Sequence, residues 1–147
     1  MDLTKLKWTK NVNHPNKQWA YSYEDIDLKS KVFYLHWVKK SSANAKLPQE
    51  EDLIIVRQRT NITHIVQVLN NTVYSESENM PSRLVKAIWI AGFWNEPPEE
   101  ESIFGYTLNY PSGKVLNLEK SPKLNEYWNN KGGLSAFKKQ VQKTLKL

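Results

Sequence analysis

A chain of 147 residues is one ordinary domain, long enough to bury roughly two thirds of its unfolded surface. Apolar residues make up 39%, no apolar run nears the ~18 residues that span a bilayer, and the polar stretch 1–16 lacks the apolar segment of a secretory signal. The absence of cysteine excludes disulfides and thiolate metal sites and fits a cytoplasmic location, while a net charge of +6 points toward polyanionic partners, and the lack of a long apolar run argues against a membrane.

Trp19, Tyr21 and Tyr23 fall at alternate positions through Gln18–Tyr23, which predicts a half-buried strand. In 31–39, Phe33, Leu35 and Trp37 alternate with Val32, Tyr34, His36 and Val38, so this strand is expected to be covered on two sides. A loop rich in Ser, Asn and Ala follows and closes with Pro48, Glu50, Glu51 and Asp52. Leu53–Val56 is a short buried run that exits into Arg57-Gln58-Arg59. Thr60-Asn61 reads as a two-residue turn, since Asn tolerates positive φ, and the chain returns through Ile62–Leu69. That register sets Arg57 opposite His64 and Gln58 opposite Thr63.

Asn70–Ser82 reads as a loop, Arg83–Trp94 as a central strand, and 95–101, with paired prolines and four glutamates, as exposed. In 104–119, Phe104, Tyr106, Leu108 and Tyr110 alternate before Pro111-Ser112-Gly113, which predicts a hairpin. After Gly132-Gly133, the residues Leu134, Phe137, Val141 and Leu145 form the apolar stripe of a C-terminal amphipathic helix. Lys139, Lys143 and Lys146 lie on its far side. Without repeats or linkers, residues 1–147 form a single, mostly antiparallel α+β domain closed by that helix.

Charge is uneven along the chain. Residues 1–46 carry nine lysines against four acids, and 104–147 carry eight against two. The middle, 47–103, holds four basic residues and nine acids. A basic face built from both ends would suit a polyanion, although lysine richness alone also fits a solvated surface.

Six tryptophans in so short a chain are the other strong signal. Trp37 and Trp89 sit in the most apolar runs and belong in the core. Trp94 and Trp19, with Tyr21 nearby, are placed where rings meet a flat ligand. Arg57 and Arg59 leave a buried strand together and, with His64, are candidates for contacts to phosphate or a base edge. Lys39 and Lys40 are candidate clamps on a nucleic-acid backbone. The three histidines lack ligand spacing, no cofactor motif is present, and no catalytic signature accompanies the aromatics.

The stretch Leu47-Pro48-Gln49-Glu50-Glu51-Asp52-Leu53-Ile54-Ile55-Val56-Arg57-Gln58-Arg59, followed by Thr63-His64-Ile65-Val66-Gln67-Val68, resembles the central hairpin of PUA-like domains, including the EVE and ASCH types. Glu51 stands where the pattern usually has glycine. The resemblance implies a small mixed β-barrel, binding to RNA or DNA and, for EVE-type members, an aromatic pocket for a modified base. The leading expectation is a non-catalytic nucleic-acid-binding module that holds a modified or flipped base in an aromatic pocket. The alternative is a protein-interaction or sensor domain of a bacterial defence or signalling system. A small hydrolase or nuclease built on Asp27 or His64 ranks last.

Overall fold

The computed structural model describes residues 1–75, 80–92 and 94–147. In chain order the elements are β1 (Leu6–Asn11), β2 (Val32–His36), α1 (Ser42–Ala45), β3 (Leu53–Gln58), β4 (Asn61–Val68), β5 (Tyr74–Ser75) and β6 (Pro81–Ile90). There follow α2 (Glu101–Phe104), β7 (Val115–Asn117), α3 (Pro122–Trp128), a 3-10 turn at Asn129–Lys131, and α4 (Gly133–Leu145). The strands make one sheet in the order β2-β6-β4-β3-β1-β7, with β5 beside β6. Every pairing is antiparallel except β1 with β3. The fold is therefore α+β with a mostly antiparallel sheet.

Apolar chemistry decides the middle of the sheet. Ile54, Ile55 and Val56 on β3, and Ile62, Ile65 and Val66 on β4, are all buried, so both faces of this hairpin are covered. On one face Leu53, Ile55, Ile65, Phe104, Leu124, Phe137 and Val141 form a core between the sheet and the C-terminal helices. On the other, Trp8, Leu35, Trp37, Ile54, Val56, Val66, Val85 and Val115 form a second core. The predicted stripe on α4 is buried at Phe137, Val141 and Leu145, while Lys139, Lys143 and Lys146 are exposed.

The sheet does not close by strand pairing, but its two ends come within one side chain of each other. Asn44 on α1 accepts from Trp37 Nε1, just after β2, at 2.8 Å and from the Val115 amide of β7 at 2.8 Å. A Cβ on Gly113 would stand 2.7 Å from Val38 Cγ1, so a larger residue there would displace the Val38 side chain. The expected closed barrel is thus replaced by an open, mixed sheet with Asn44 spanning its edges.

Several local expectations are corrected. The hairpin turns at Arg59-Thr60, both with positive φ (50° and 66°), and not at Thr60-Asn61. Asn61 is needed in the strand: its Nδ2 donates to the Pro97 carbonyl at 2.7 Å, and the Ile62 amide donates to Pro98 at 2.7 Å. Arg57 therefore pairs with Ile62 and Val56 with His64, with a bulge between.

Gln18–Tyr23 is no strand, because Tyr21 adopts φ 55° and the segment belongs to the long β1–β2 connection. The 104–119 hairpin is absent as well. Phe104 ends α2, Gly105 (φ 86°) caps it, and the Leu108 amide donates to the Glu100 carboxylate at 2.7 Å instead of to a partner strand. Only Val115–Asn117 pairs, and it pairs with β1. Within the expected Asn70–Ser82 loop, Tyr74–Ser75 is a strand and β6 begins at Pro81, while 76–79 lie outside the described residues. Phe93, in the expected Arg83–Trp94 strand, also lies outside them, and β6 ends at Ile90.

Replacing Asn44 by leucine leaves the Trp37 and Val115 N–H groups unpaired. Urea denaturation should show the midpoint falling with an unchanged m-value, corresponding to a loss of about 2 kcal/mol.

Candidate ligand-binding site

The β1–β2 connection, residues 12–31, has no regular structure of its own, so side chains from the sheet must satisfy its backbone. Gln58 does most of this. Its Oε1 accepts from the Ala20 amide at 2.7 Å, and its Nε2 donates to the Ala20 carbonyl at 2.9 Å, so the side-chain amide pairs as a strand would. Nε2 also donates to Thr63 Oγ1 at 2.9 Å. The Thr63 hydroxyl meets His64 Nδ1 at 2.9 Å, and His64 Nε2–H donates to the Tyr21 carbonyl at 2.8 Å. Arg59 Nε donates to the Gln18 carbonyl at 2.8 Å, and the Tyr23 hydroxyl to that of Ala91 at 2.9 Å.

Pinned in this way, the connection brings together most of the predicted aromatic residues. Trp94 makes edge contacts with Trp19 (6.0 Å between centroids), Tyr23 (5.7 Å) and His64 (5.4 Å). Tyr21 lies on Phe33 at 4.7 Å. Trp19 and Trp94 are half-buried and, with Tyr23, Lys17 and Gln18, line a surface groove of about 440 Å³. Trp37, Trp8 and Trp128 are buried, and Trp89 is half-buried against the helical core.

Arg57 goes elsewhere. It is buried, with Nε donating to Thr9 Oγ1 at 2.9 Å, one terminal nitrogen 3.4 Å from the buried Glu100 carboxylate, and the other donating to the Tyr110 carbonyl at 3.3 Å. Above this ion pair opens a cleft of about 410 Å³, lined also by Asn11, Asn13, Arg59, Asn109, Tyr110 and Pro111. Burial lowers the Arg57 pKa, and the Glu100 carboxylate opposes the shift. Asn11, Asn13 and Pro111 also line a smaller chamber of about 180 Å³ with Lys10, Tyr21 and Trp37. Beyond it, Tyr21 and His36 border a groove of about 550 Å³. The three depressions adjoin one another, and Asn13 lines all of them.

Arg59 links the two regions: it lines the cleft and holds the backbone beside Trp19. Lys39 and Lys40 are exposed on the turn after Val38, a chamber-lining residue. Arg83 is fully buried, its guanidinium donating to the carbonyls of Ala45, Pro48 and Asn70 at 2.6–2.7 Å. Glu100, Tyr110, Asn11 and Lys10 were not singled out from the sequence. They come from β1 and an irregular segment, and no spacing announces their convergence. The only hint was Glu100 beside Pro97-Pro98, a glutamate in a loop that folds back onto the hairpin.

No group of three His, Cys, Asp or Glu residues able to hold a metal occurs among the described residues. No helix among them is long and apolar enough to cross a membrane. Neither a protein-family model, nor a curated protein, nor a solved structure matches the chain, so the geometry of the site carries the functional argument.

Burial pushes His64 down from 6.5 to about 4, while its bond to the Tyr21 carbonyl acts the other way. Unfolded chains therefore bind more protons than folded ones between these values, and stability is lost as pH falls from about 6.5 to about 4. Urea titrations at pH 7 and pH 4 should differ by about 3 kcal/mol more in the wild type than in His64→Leu.

Proposed function

We propose that this chain is a non-catalytic nucleic-acid-binding module of PUA-like, EVE-type character that takes a single base, including a flipped or modified one, into the cleft above Arg57. The observation that carries the reading is the 410 Å³ cleft itself, with a buried guanidinium and carboxylate at its floor and Tyr110 in its wall. A base edge presents fixed donors and acceptors, and the floor offers both kinds in fixed positions. Arg57 donates toward a carbonyl or ring nitrogen, and Glu100 accepts from an N–H. The amides of Asn11, Asn13 and Asn109 reach the remaining polar atoms. Tyr110 and Pro111 supply the flat, apolar side.

Around this point the other residues take graded roles. Arg59, exposed at the rim, meets phosphate, and Lys39 and Lys40 hold the backbone on the chamber side. Trp19 and Trp94 offer a stacking surface for a neighbouring base along the 440 Å³ groove. Tyr21 and His64 act as positioning residues, since their polar groups already hold the connection in place. The two basic ends of the chain also meet, with Lys138 Nζ donating to the Thr4 carbonyl at 3.3 Å. The PUA-like element of the reading is supported by the mixed sheet whose edges Asn44 joins, one side chain short of a barrel.

Fluorescence anisotropy with mixed-sequence single-stranded DNA and RNA 12-mers tests this function. About four cationic contacts predict a loss of affinity on the order of fifty-fold between 50 and 200 mM salt. Arg59→Ala should weaken binding roughly tenfold, and Lys39→Ala or Lys40→Ala should each lower the salt slope by about 1. A salt-independent affinity, or none at low salt, refutes the proposal.

A further inference from the structure

Lys10 occupies a position where a lysine is costly. It lies inside β1 between Thr9 and Asn11, which are buried as well, and it is only 1% exposed. Its Nζ donates to the Gly113 carbonyl and stands 4.8 Å from the centroid of the Trp37 ring. An ammonium carries three protons, and these two contacts serve at most two of them. Among the described residues no carboxylate lines the chamber around it. The charge that acts on it is Arg57 on β3, of the same sign, while the titratable neighbours across the chamber are Tyr21 and His36. Burial first, and the Arg57 charge second, push the Lys10 amine down from 10.5 to about 7. A large share of it then holds a free lone pair at neutral pH, as in lysines that form Schiff bases.

Geometry supplies the rest. Lys10, Trp37 and Gly113 all line the 180 Å³ chamber, whose size suits a short-chain molecule and not a nucleobase with its sugar. Asn13, Tyr21, His36 and Met80 line both this chamber and the 550 Å³ groove, so the two lie side by side. Asn11 and Asn13 place amide side chains at the wall, and Trp37 lays a ring face beside Nζ.

We propose that Lys10 is a carbonyl-capturing residue, whose amine condenses with a short-chain aldehyde taken into the chamber. The Nζ lone pair adds to the carbonyl carbon, and a proton passes from nitrogen to oxygen to give a carbinolamine. This expels water as the C=N bond forms, so no oxidant or reductant takes part. The asparagine amides hydrogen-bond the carbinolamine hydroxyl, and the Trp37 face favours the protonated imine. The capture does not depend on nucleic-acid binding.

The test uses the intact wild-type chain, glycolaldehyde and cyanoborohydride to fix imines as stable amines, followed by peptide mapping of all lysines. At pH 7.4 an exposed lysine is about 0.1% unprotonated, so Lys10 should be labelled at least ~10-fold faster than the median lysine. Its labelling should reach half its maximum near pH 7. Lys10→Arg should remove the fast phase of labelling. If that variant does not fold, the wild-type map still decides. Labelling of Lys10 at or below the median of the other lysines, or a profile rising only above pH 9, overturns the proposal. Anisotropy with the oligonucleotides reads base binding separately, so either idea can fail alone.

Discussion

The pairing of the Gln58 side chain with the backbone of Ala20 is the contact on which the arrangement of the site rests. A twenty-residue connection without helix or strand must otherwise leave its peptide groups to water or bury them unpaired. An amide side chain presents one donor and one acceptor in nearly the geometry of a peptide, so the Gln58 side chain pairs with the connection while its backbone pairs within the hairpin. The same Nε2 reaches Thr63, and the bulge at Thr63 places its hydroxyl between Gln58 and His64. Each member of this chain satisfies the next. Removing one exposes the desolvation penalty of its neighbour, ~1–3 kcal/mol per buried group, so the network is held or lost together.

The site combines rigidity with residual polarity. Thr9, Glu100 and the Tyr110 carbonyl fix Arg57, so the guanidinium is preorganised before any ligand arrives. Asp52 plays a comparable internal part: it is buried, accepts from Trp8 Nε1 and the Gln49 amide at 2.9 Å, and lies 3.5 Å from Lys7 Nζ. Two carboxylates from the acidic middle of the sequence, Asp52 and Glu100, are thus spent inside the protein. Of the three arginines, Arg83 is structural, Arg57 is shared between framework and cleft, and Arg59 is exposed.

Elements with enough apolar residues in one run were legible from the sequence. Leu53–Val56, Ile62–Val68, the run after Arg83 and the stripe of α4 all form as the pattern implies. Period-two alternation misled at Gln18–Tyr23 and at Phe104–Tyr110. There the aromatic rings reach separate clusters from an irregular backbone, and side chains such as Gln58 and Glu100 replace strand partners. β1 was hidden for the opposite reason: Lys10 and Asn11 make it look solvated, yet both are buried between β3 and β7. α3 carried a readable Ser121-Pro122 start, with Ser121 accepting from the Leu124 amide at 3.3 Å. Arg57 and Arg59 stood out as paired arginines at a strand end. The partners of Arg57, Glu100 and Tyr110, lie more than forty residues away and could only be found in space.

β1 lies between β3, whose residues 53–57 it matches, and β7, whose residues 115–117 it matches. A ribosome delivers that first strand long before either neighbour exists. Until β7 has been made, Leu6 and Trp8 have only one flank to pair with, and before β3 they have none. Contacts so distant in sequence make folding slow and leave an apolar edge uncovered during synthesis. The two flanks of β1 are therefore covered one after the other, first by β3 and only later by β7.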